Sequence, residues 1–150
     1  LSILIFMFFN FQIFNLRKVF LGDAGSVTLG FILSWFLIYY SHPSQRFIHP
    51  ILTIWCVTLP VYDLLSVIIR RINNKINPFR PDRTHLHHLM LKIGLSSKSV
   101  FALLILFSIL INFMGGLSFY FFGPSPSLLF FVLLFFIYFF TTLRLSTKVK

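Results

Sequence analysis

Only three side chains in this sequence of 150 residues are carboxylates, so acid–base or metal chemistry has few candidate residues: Asp23, Asp63 and Asp82. Asp23 lies between Gly22 and Gly25, at the start of a long apolar segment. Glycine allows close approach to the backbone, and the free N–H groups of a helix start attract anions. A carboxylate there can hold Mg²⁺ against a phosphate. The alternative is a helix N-cap followed by small residues that pack against another helix.

Asp63 lies seven residues before Arg70, inside an otherwise apolar segment. In a helix this separation is about 10 Å, which puts the carboxylate below the membrane surface. An ionisable group at that depth is expected to be functional, and we interpret Asp63 as a substrate-binding residue. The alternative is a structural partner for Arg70 or for a neighbouring helix. Pro60, three residues earlier, predicts a kink in the same helix.

Three histidines and two arginines share one polar segment: Arg80, Arg83, His85, His87 and His88. In a helix, His85 and His88 lie on one face and His87 points away, whereas in a strand His85 and His87 share a face. No regular backbone directs all three at one ligand, which argues against a compact three-histidine zinc site. With Asp82 as the N-cap of a short helix, His85 falls in the first turn, where N–H groups attract anions. The segment is therefore a candidate phosphate-binding cluster. The alternative is a basic loop that faces lipid headgroups.

Arg70 and Arg71 end the apolar segment that contains Asp63. Cationic side chains stabilise a helix C-terminus and reach readily to the membrane interface, which is one explanation for the pair. The other is a phosphate clamp, because a guanidinium can bind phosphate through two parallel hydrogen bonds.

The elements that must position these residues are membrane helices. Hydrophobic residues make up 57% of the chain, which has 22 Phe, and only 11% of residues are charged, against about 25% in a soluble domain. The apolar residues form long blocks, which predict an all-α fold, a polytopic transmembrane helix bundle. Cys56 is the only cysteine, so the sequence contains no disulfide framework. The predicted bundle has four complete spans and the end of a fifth: residues 24–41, 50–69, 98–122 and 127–143, preceded by residues 1–9.

Charge predicts the orientation of these spans. Of the 13 Lys and Arg residues, only Arg46 lies on the side opposite to the other twelve. The positive-inside rule then puts the 70–97 loop in the cytoplasm and the 123–127 turn outside. The net charge of +10 is explained by topology and anionic membrane lipids, with no need for nucleic acid. Within the loop, Gly94 should end the short helix, and Ser96 or Ser97 should cap the third span.

Two segments together resemble one family. Residues 18–26, Lys-Val-Phe-Leu-Gly-Asp-Ala-Gly-Ser, resemble the Phe-x-Gly-Asp-x-Gly-Ser signature of the polyprenyl-phosphate N-acetylhexosamine-1-phosphate transferases. Residues 77–88, Asn-Pro-Phe-Arg-Pro-Asp-Arg-Thr-His-Leu-His-His, resemble the cytoplasmic His-x-His-His loop of that family. Asp63 and the Arg70–Arg71 pair also fit the branch that uses UDP-GlcNAc. The two motifs at this separation are far more specific than either alone.

The resemblance implies a Mg²⁺-dependent membrane enzyme. In that family undecaprenyl phosphate attacks the sugar-linked phosphate of a UDP-N-acetylhexosamine, here UDP-GlcNAc, and the products are undecaprenyl-pyrophosphoryl-GlcNAc and UMP. This reaction initiates cell-envelope polysaccharide synthesis at the cytoplasmic face of the bacterial plasma membrane. Asp23 then becomes the catalytic or Mg²⁺-binding carboxylate. The resemblance assigns the nucleotide-sugar diphosphate to three histidines and two arginines: His85, His87, His88, Arg71 and Arg83.

One departure from the family pattern concerns an Asp-Asp pair, which the family carries in its N-terminal half and which this sequence does not contain. We therefore expect residues 1–150 to be the C-terminal part of a single membrane-embedded transferase domain, inactive alone. The alternative is a non-catalytic membrane paralogue that serves as an assembly or lipid-binding module. The sequence leaves open the hexosamine, the polysaccharide and whether the protein forms a homodimer.

Overall fold

The computed structural model describes residues 21–44, 47–77 and 84–148, and all regular secondary structure in these ranges is α-helical. Three helices are long and apolar enough to cross a membrane, and a bent helix pair makes a fourth if it counts as one span. The predicted all-α transmembrane fold is confirmed. The helices in chain order are α1 Gly22–Ser41, α2 Pro50–Cys56, α3 Thr58–Asn73, α4 Leu86–Lys92, α5 Ser97–Phe122 and α6 Pro124–Lys148.

Helix α1 belongs to one compact unit, which ends at Phe47, and the other five helices belong to a second unit that begins at Ile48. No residue of α1 is buried within the chain, as expected of a helix that faces lipid. Its N-cap is Leu21, and Gly22 has φ +72°, a left-handed conformation that favours glycine. Asp23 is in the first turn, so the alternative of Asp23 as the N-cap is wrong.

Helices α2 and α3 are bent by 72° relative to each other, which confirms the predicted kink. Pro60 explains where the bend falls. Proline has no N–H to donate to the carbonyl four residues earlier, here Cys56, and its ring collides with that carbonyl. The helix breaks at Val57, whose N–H donates to the carbonyl of Ile54 at 3.2 Å.

Helix α6 begins at Pro124, three residues earlier than predicted, so the expected five-residue turn at 123–127 is wrong. The connection from α5 to α6 is the single residue Gly123, with φ +79°. Pro124 and Pro126 both fall in the first turn of α6. N–H groups in a first turn have no acceptor within the helix, so proline loses no helical hydrogen bond there. Proline in this segment therefore starts the helix and does not delay it.

The bent pair α2–α3 runs along α6 in the same direction. Three hydrogen bonds follow one another along both elements, from the first turn of α6 towards its C-terminal end. Trp55 Nε1 donates to Ser127 Oγ at 3.0 Å, the Tyr62 hydroxyl donates to the Phe131 carbonyl, and Arg70 Nη1 donates to the Thr142 carbonyl at 3.5 Å.

Helix α5 joins this packing through Gly115, one of its few buried residues. A Cβ atom on Gly115 would lie 2.1 Å from Cδ2 of Trp55, whose ring is 1% exposed. The absence of a side chain thus lets the indole ring lie against the backbone of α5. Ser118 Oγ lies 2.9 Å from Ser127 Oγ, so the indole N–H is part of a buried hydroxyl cluster.

The short helix α4 is held by its apolar face. Leu86, Leu89 and Met90 are buried, and this spacing places them on one side of the helix. As predicted, Gly94 follows the helix end with φ +94°. Gly94 N–H donates to Leu91 O at 3.0 Å and Leu95 N–H donates to Met90 O at 3.3 Å, which is a Schellman C-cap. Ser96 caps α5 through Ser99 N–H, also as predicted.

Candidate functional site

The histidine segment opens α4. His85 is the N-cap, with an extended backbone at φ −61° and ψ 152°, and the helix begins at Leu86. The prediction that Asp82 caps this helix is therefore wrong, and His85 precedes the first turn instead of lying within it. The physical reason is the buried apolar face of α4, which starts at Leu86 and sets where the helix can begin. Asp82 itself lies outside the part of the chain that the structure describes.

Asp63, on α3, is the centre of the hydrogen bonding around this helix start. Its Oδ2 lies 2.9 Å from Nδ1 of His85, and its Oδ1 accepts from the backbone N–H of Leu86 at 2.8 Å. The hydroxyl of Tyr138, on α6, donates to the same Oδ1 at 3.2 Å. The His85 side chain has no side-chain cap bond to its own helix, so the carboxylate of Asp63 satisfies a first-turn N–H in its place.

The three histidine rings lie in a row. The ring centroids of His85 and His87 are 5.9 Å apart at an interplanar angle of 15°, and those of His87 and His88 are 4.1 Å apart. Neither a regular helix nor a regular strand would bring all three histidines to one face. The extended backbone of His85 removes this restriction, so the structure brings all three imidazoles together at one helix start.

The pKa of His87 lies below its ordinary value near 6.5. Partial burial of the ring is the main cause, because loss of hydration penalises the imidazolium. Repulsion from His88 and, more weakly, from His85 lowers the pKa further, while the negative charge of Asp63 raises it. His87 therefore favours the neutral form more strongly than an isolated histidine does.

An open apolar groove of about 180 Å³ runs beside the histidine segment. It brings α3, α4 and α5 together at one place, with two polar side chains at its edge. The groove is lined by Leu59, Pro60, Asp63, Leu86, His87 and Leu104.

Arg70 is buried and serves as a structural tie. Its Nη2 donates to the carbonyl of Thr84 at 2.7 Å, immediately before His85, and its Nε donates to Ser66 O at 3.2 Å. With the bond to Thr142, this guanidinium joins α3, α6 and the approach to α4. Its neighbour Arg71 is also buried, in the last turn of α3. Arg83 lies outside the described residues, so its predicted phosphate contact is untested.

Asp23 is exposed in the first turn of α1. Mg²⁺ in phosphoryl-transfer sites commonly takes one or two protein carboxylates and completes its shell with substrate phosphate and water. Asp23 fits that donor set as one oxygen ligand, while the carboxylate of Asp63 is already occupied by three protein donors. Across residues 21–44, 47–77 and 84–148, no group of three His, Cys, Asp or Glu side chains is placed to hold a metal ion.

Tyr138 is the residue that the sequence analysis missed. It lies in a helix rich in phenylalanine, where a tyrosine near the middle of the apolar stretch signals a polar partner, because a buried phenolic hydroxyl usually finds one. The signal identifies Tyr138 as bonded but does not name Asp63 as its partner, since 75 residues separate the two.

Comparison with known proteins gives one consistent group of relatives. The chain is 35% identical over 140 residues to the undecaprenyl-phosphate alpha-N-acetylglucosaminyl 1-phosphate transferase of Escherichia coli K12, covering 91% of this chain and 38% of that protein. It is 38% identical over 129 residues to the protein of the same name from Pasteurella multocida, and 36% over 122 residues to that from Haemophilus influenzae. The chain thus spans little more than a third of the length of these relatives. No protein-family model and no solved structure matches it.

Proposed function

We propose that the chain belongs to the polyprenyl-phosphate N-acetylglucosamine-1-phosphate transferase family and forms part of a site for this transfer, because it is 35–38% identical to relatives named for that activity. The donor is UDP-GlcNAc, the acceptor is undecaprenyl phosphate, and the products are undecaprenyl-pyrophosphoryl-GlcNAc and UMP. The observation that carries the proposal is the homology over 91% of the chain, together with three imidazoles gathered at one helix start. The chain covers 38% of its E. coli relative, so the complete activity is a proposal for a protein that also supplies the unmatched part.

The reaction exchanges one phosphoanhydride linkage for another. An oxygen of undecaprenyl phosphate forms a bond to the sugar-linked phosphorus of UDP-GlcNAc, and the bond from that phosphorus to the bridging oxygen breaks. The electron pair leaves with UMP, and the lipid product retains a diphosphate. Such transfers depend on positioning and on neutralising phosphate charge more than on covalent chemistry by the protein.

The role proposed for His85, His87 and His88 is to bind the diphosphate of the nucleotide sugar. Imidazole N–H groups donate to phosphate oxygens, and a protonated ring adds charge to the hydrogen bond. Arg71 and Arg83 are proposed as further phosphate partners. The three neighbouring rings at the start of α4, where the His85 side chain is 32% exposed, support a surface whose N–H groups can donate to an anionic ligand.

Asp23 is the residue that we propose to bind Mg²⁺. When bound, the ion would neutralise phosphate charge and make the sugar-linked phosphorus easier to attack. The chain's own contribution is a single exposed carboxylate in the first turn of a helix, next to Gly22, where a Cβ atom would meet nothing within 4 Å. This assignment agrees with the donor types that Mg²⁺ prefers.

The setting proposed for this reaction is the cytoplasmic face of the bacterial plasma membrane. The helices that can span a membrane and the charge asymmetry of their connections support it. UDP-GlcNAc would approach from the aqueous side, and the lipid acceptor would approach from the bilayer. The apolar groove beside Asp63 and His87 is open and lined mainly by leucine and proline.

The proposal is tested with a chimera in which the matched segment of the E. coli relative is replaced by the corresponding residues of this chain. Membranes that contain the chimera should transfer radiolabelled GlcNAc-1-phosphate from UDP-GlcNAc to undecaprenyl phosphate. His87→Ala and His88→Ala should each reduce use of UDP-GlcNAc about tenfold to a hundredfold, the effect of losing one charge-assisted hydrogen bond. His42→Ala is the matched control, because His42 contacts Ser44 in the connection after α1.

An inserted chimera that transfers no GlcNAc-1-phosphate contradicts the proposal. If that chimera still retains undecaprenyl phosphate on purification, the result favours the non-catalytic lipid-binding alternative. Equal activity of the His87, His88 and His42 variants would show that the histidines do not bind the diphosphate. The segment would then be interpreted as a basic surface.

A further inference from the structure

We propose that Asp63, itself held by Tyr138, is a positioning residue that orients His85 so that the Nε2 atom of its ring faces the ligand. The proposal rests on the proposed function only for the identity of that ligand, a nucleoside diphosphate sugar. Its geometric part concerns three side chains from three elements: Asp63 on α3, His85 before α4 and Tyr138 on α6.

The carboxylate of Asp63 is fully engaged by the protein. It faces the imidazole of His85, the backbone N–H of Leu86 and the hydroxyl of Tyr138, all within 3.2 Å. Its side chain is 20% exposed, whereas that of His85 is 32% exposed. The carboxylate is thus the inner member of the pair, and the imidazole is the member that a ligand can reach.

The hydrogen bond that Asp63 accepts from His85 also selects a tautomer. An ionised carboxylate only accepts hydrogen bonds, so Nδ1 of His85 must carry the proton that lies between them. In the neutral ring Nε2 is then the unprotonated nitrogen, and in the imidazolium Nε2 becomes an N–H donor. Within the described part of the chain, Nε2 of His85 has no hydrogen-bond partner, so it is the atom left for a ligand.

Tyr138 and Leu86 fix the carboxylate itself. Both donate to Oδ1, which leaves Oδ2 directed at the histidine. Because the Leu86 N–H belongs to the first turn of α4, a shift of Asp63 moves the helix start and the ring together. This is the arrangement known from metal-binding histidines, in which a carboxylate behind the ring sets the orientation of the nitrogen in front.

The experiment uses the full chain in detergent micelles with ¹⁵N-labelled histidine, at about pH 8, where an ordinary histidine is neutral. His85 is assigned by comparison with His85→Gln. In the unaltered chain, Nδ1 of His85 should resonate as a protonated nitrogen and Nε2 as an unprotonated one. In Asp63→Ala the two assignments should exchange, because the Nε2–H tautomer is preferred by a free imidazole. His88, which has no bond to Asp63, is the internal control.

Asp63→Asn is the second variant, which keeps the side-chain shape if the alanine variant does not fold. Its single oxygen must serve three donors, so the Nδ1–H population of His85 should fall without disappearing. Tyr138→Phe should preserve the Nδ1–H tautomer, since the direct bond to Asp63 remains. An unchanged tautomer of His85 in a folded Asp63 variant overturns the proposal, as does an Nε2–H tautomer in the unaltered chain.

Addition of UDP-GlcNAc separates this inference from the proposed function. A phosphate oxygen only accepts hydrogen bonds, so bound UDP-GlcNAc should favour the imidazolium of His85, whose Nε2–H can donate to the diphosphate. The Nε2 resonance should therefore move towards that of a protonated nitrogen, while Nδ1, which is already protonated, stays nearly in place. If His85 has the expected tautomer but its Nε2 resonance does not change when UDP-GlcNAc is added, the positioning by Asp63 is supported. The same result counts against the proposed substrate. A shift at Nδ1 as large as at Nε2 counts against the positioning itself.

Discussion

Asp63 and His85 are 22 residues apart in the sequence, yet Oδ2 of the carboxylate lies 2.9 Å from Nδ1 of the imidazole. The contact joins a residue in the interior of a membrane helix to the first residue of a polar motif. It explains how a helix of only seven residues, too short to be stable alone, presents its histidines in a defined orientation.

This contact predicts energetic coupling in the E. coli chimera. Asp63→Ala should raise the KM for UDP-GlcNAc about tenfold while His85 is present, as expected from the loss of one charged hydrogen-bond partner. In a His85→Ala background the same substitution should have little further effect, because the group that it positions is gone. Steady-state kinetics of both single variants and the double variant measure this. If the fold-change in KM for UDP-GlcNAc in the double variant equals the product of the two single changes, Asp63 acts independently of His85. An equal rise in the KM for undecaprenyl phosphate would indicate general damage to the site.

A second prediction uses the two adjacent glycines of α5. Gly115→Ala should destabilise the chain by about 1–3 kcal/mol, the usual range for overpacking, because the new methyl group meets the buried ring of Trp55. Gly116→Ala is the matched control, since a Cβ there meets nothing within 4 Å. It should be neutral or slightly stabilising, as alanine favours helix by about 0.5–1 kcal/mol over glycine. Thermal unfolding in detergent measures both, and equal midpoints would contradict the packing of Trp55 on Gly115.

A third prediction concerns protonation of His87. Its pKa is lowered in the folded chain, so between that pKa and about 6.5 the unfolded state binds more protons. This residue therefore destabilises the fold progressively as the pH falls below about 6.5, and it has no such effect at higher pH. The ¹⁵N or ¹H signals of His87 should titrate below 6.5.

Two variants check the sign of each contribution to that pKa. His88→Asn should move the titration of His87 upwards, because a repelling neighbour is removed, and Asp63→Asn should move it further down, because an attracting charge is removed. A titration of His87 above the ordinary histidine value would contradict the burial that lowers it.

Much of the helical architecture could be predicted because its signals are local. Long apolar blocks give the spans, Pro60 gives the bend between α2 and α3, and Gly94 and Ser96 give the end of one helix and the start of the next. Of the two wrong boundaries, the start of α6 at Pro124 reflects a local preference of proline for the first helical turn, and the start of α4 depends on packing. Helix α4 starts at Leu86 and not after Asp82 because its buried apolar face begins there.

The hydrogen bonds of the site could not be predicted, because they depend on how helices rotate against one another. Asp63 was identified as an unusual carboxylate, and a neighbouring helix was one of its expected partners. Tyr138 is the only aromatic residue of α6 with a hydroxyl group, but nothing in the pattern names Asp63 as its partner. Nothing distinguishes His85 from His88 as the histidine that contacts the carboxylate. Both choices depend on contacts 75 and 22 residues apart.

A fourth prediction tests the orientation in the membrane. In a Cys56→Ser background, Asn77→Cys should resist a membrane-impermeant thiol reagent added to intact cells, and Ser125→Cys should react. The reason is the predicted topology, which places twelve of the 13 basic residues on the side of Asn77. After the cells are lysed, Asn77→Cys should react as well, which controls for local access. Labelling of Asn77→Cys in intact cells would show that this residue lies outside the cell, which contradicts the predicted orientation.

The last prediction concerns Asp23. In the E. coli chimera, Asp23→Asn should abolish most turnover, because the neutral amide is a poor Mg²⁺ ligand, while insertion and folding are preserved. Folding should survive because Leu21, not Asp23, is the N-cap of α1. The substitution loses only the interaction of a first-turn carboxylate with the helix dipole, about 0.3–1 kcal/mol. Thr28→Val is the matched control on the same exposed helix, since it removes one side-chain hydrogen bond to Ala24 O and no carboxylate. Rates measured across a series of Mg²⁺ concentrations should show that only Asp23→Asn needs a higher Mg²⁺ concentration for its half-maximal rate. A near-normal rate with an unchanged Mg²⁺ requirement would instead indicate that Asp23 has a structural role.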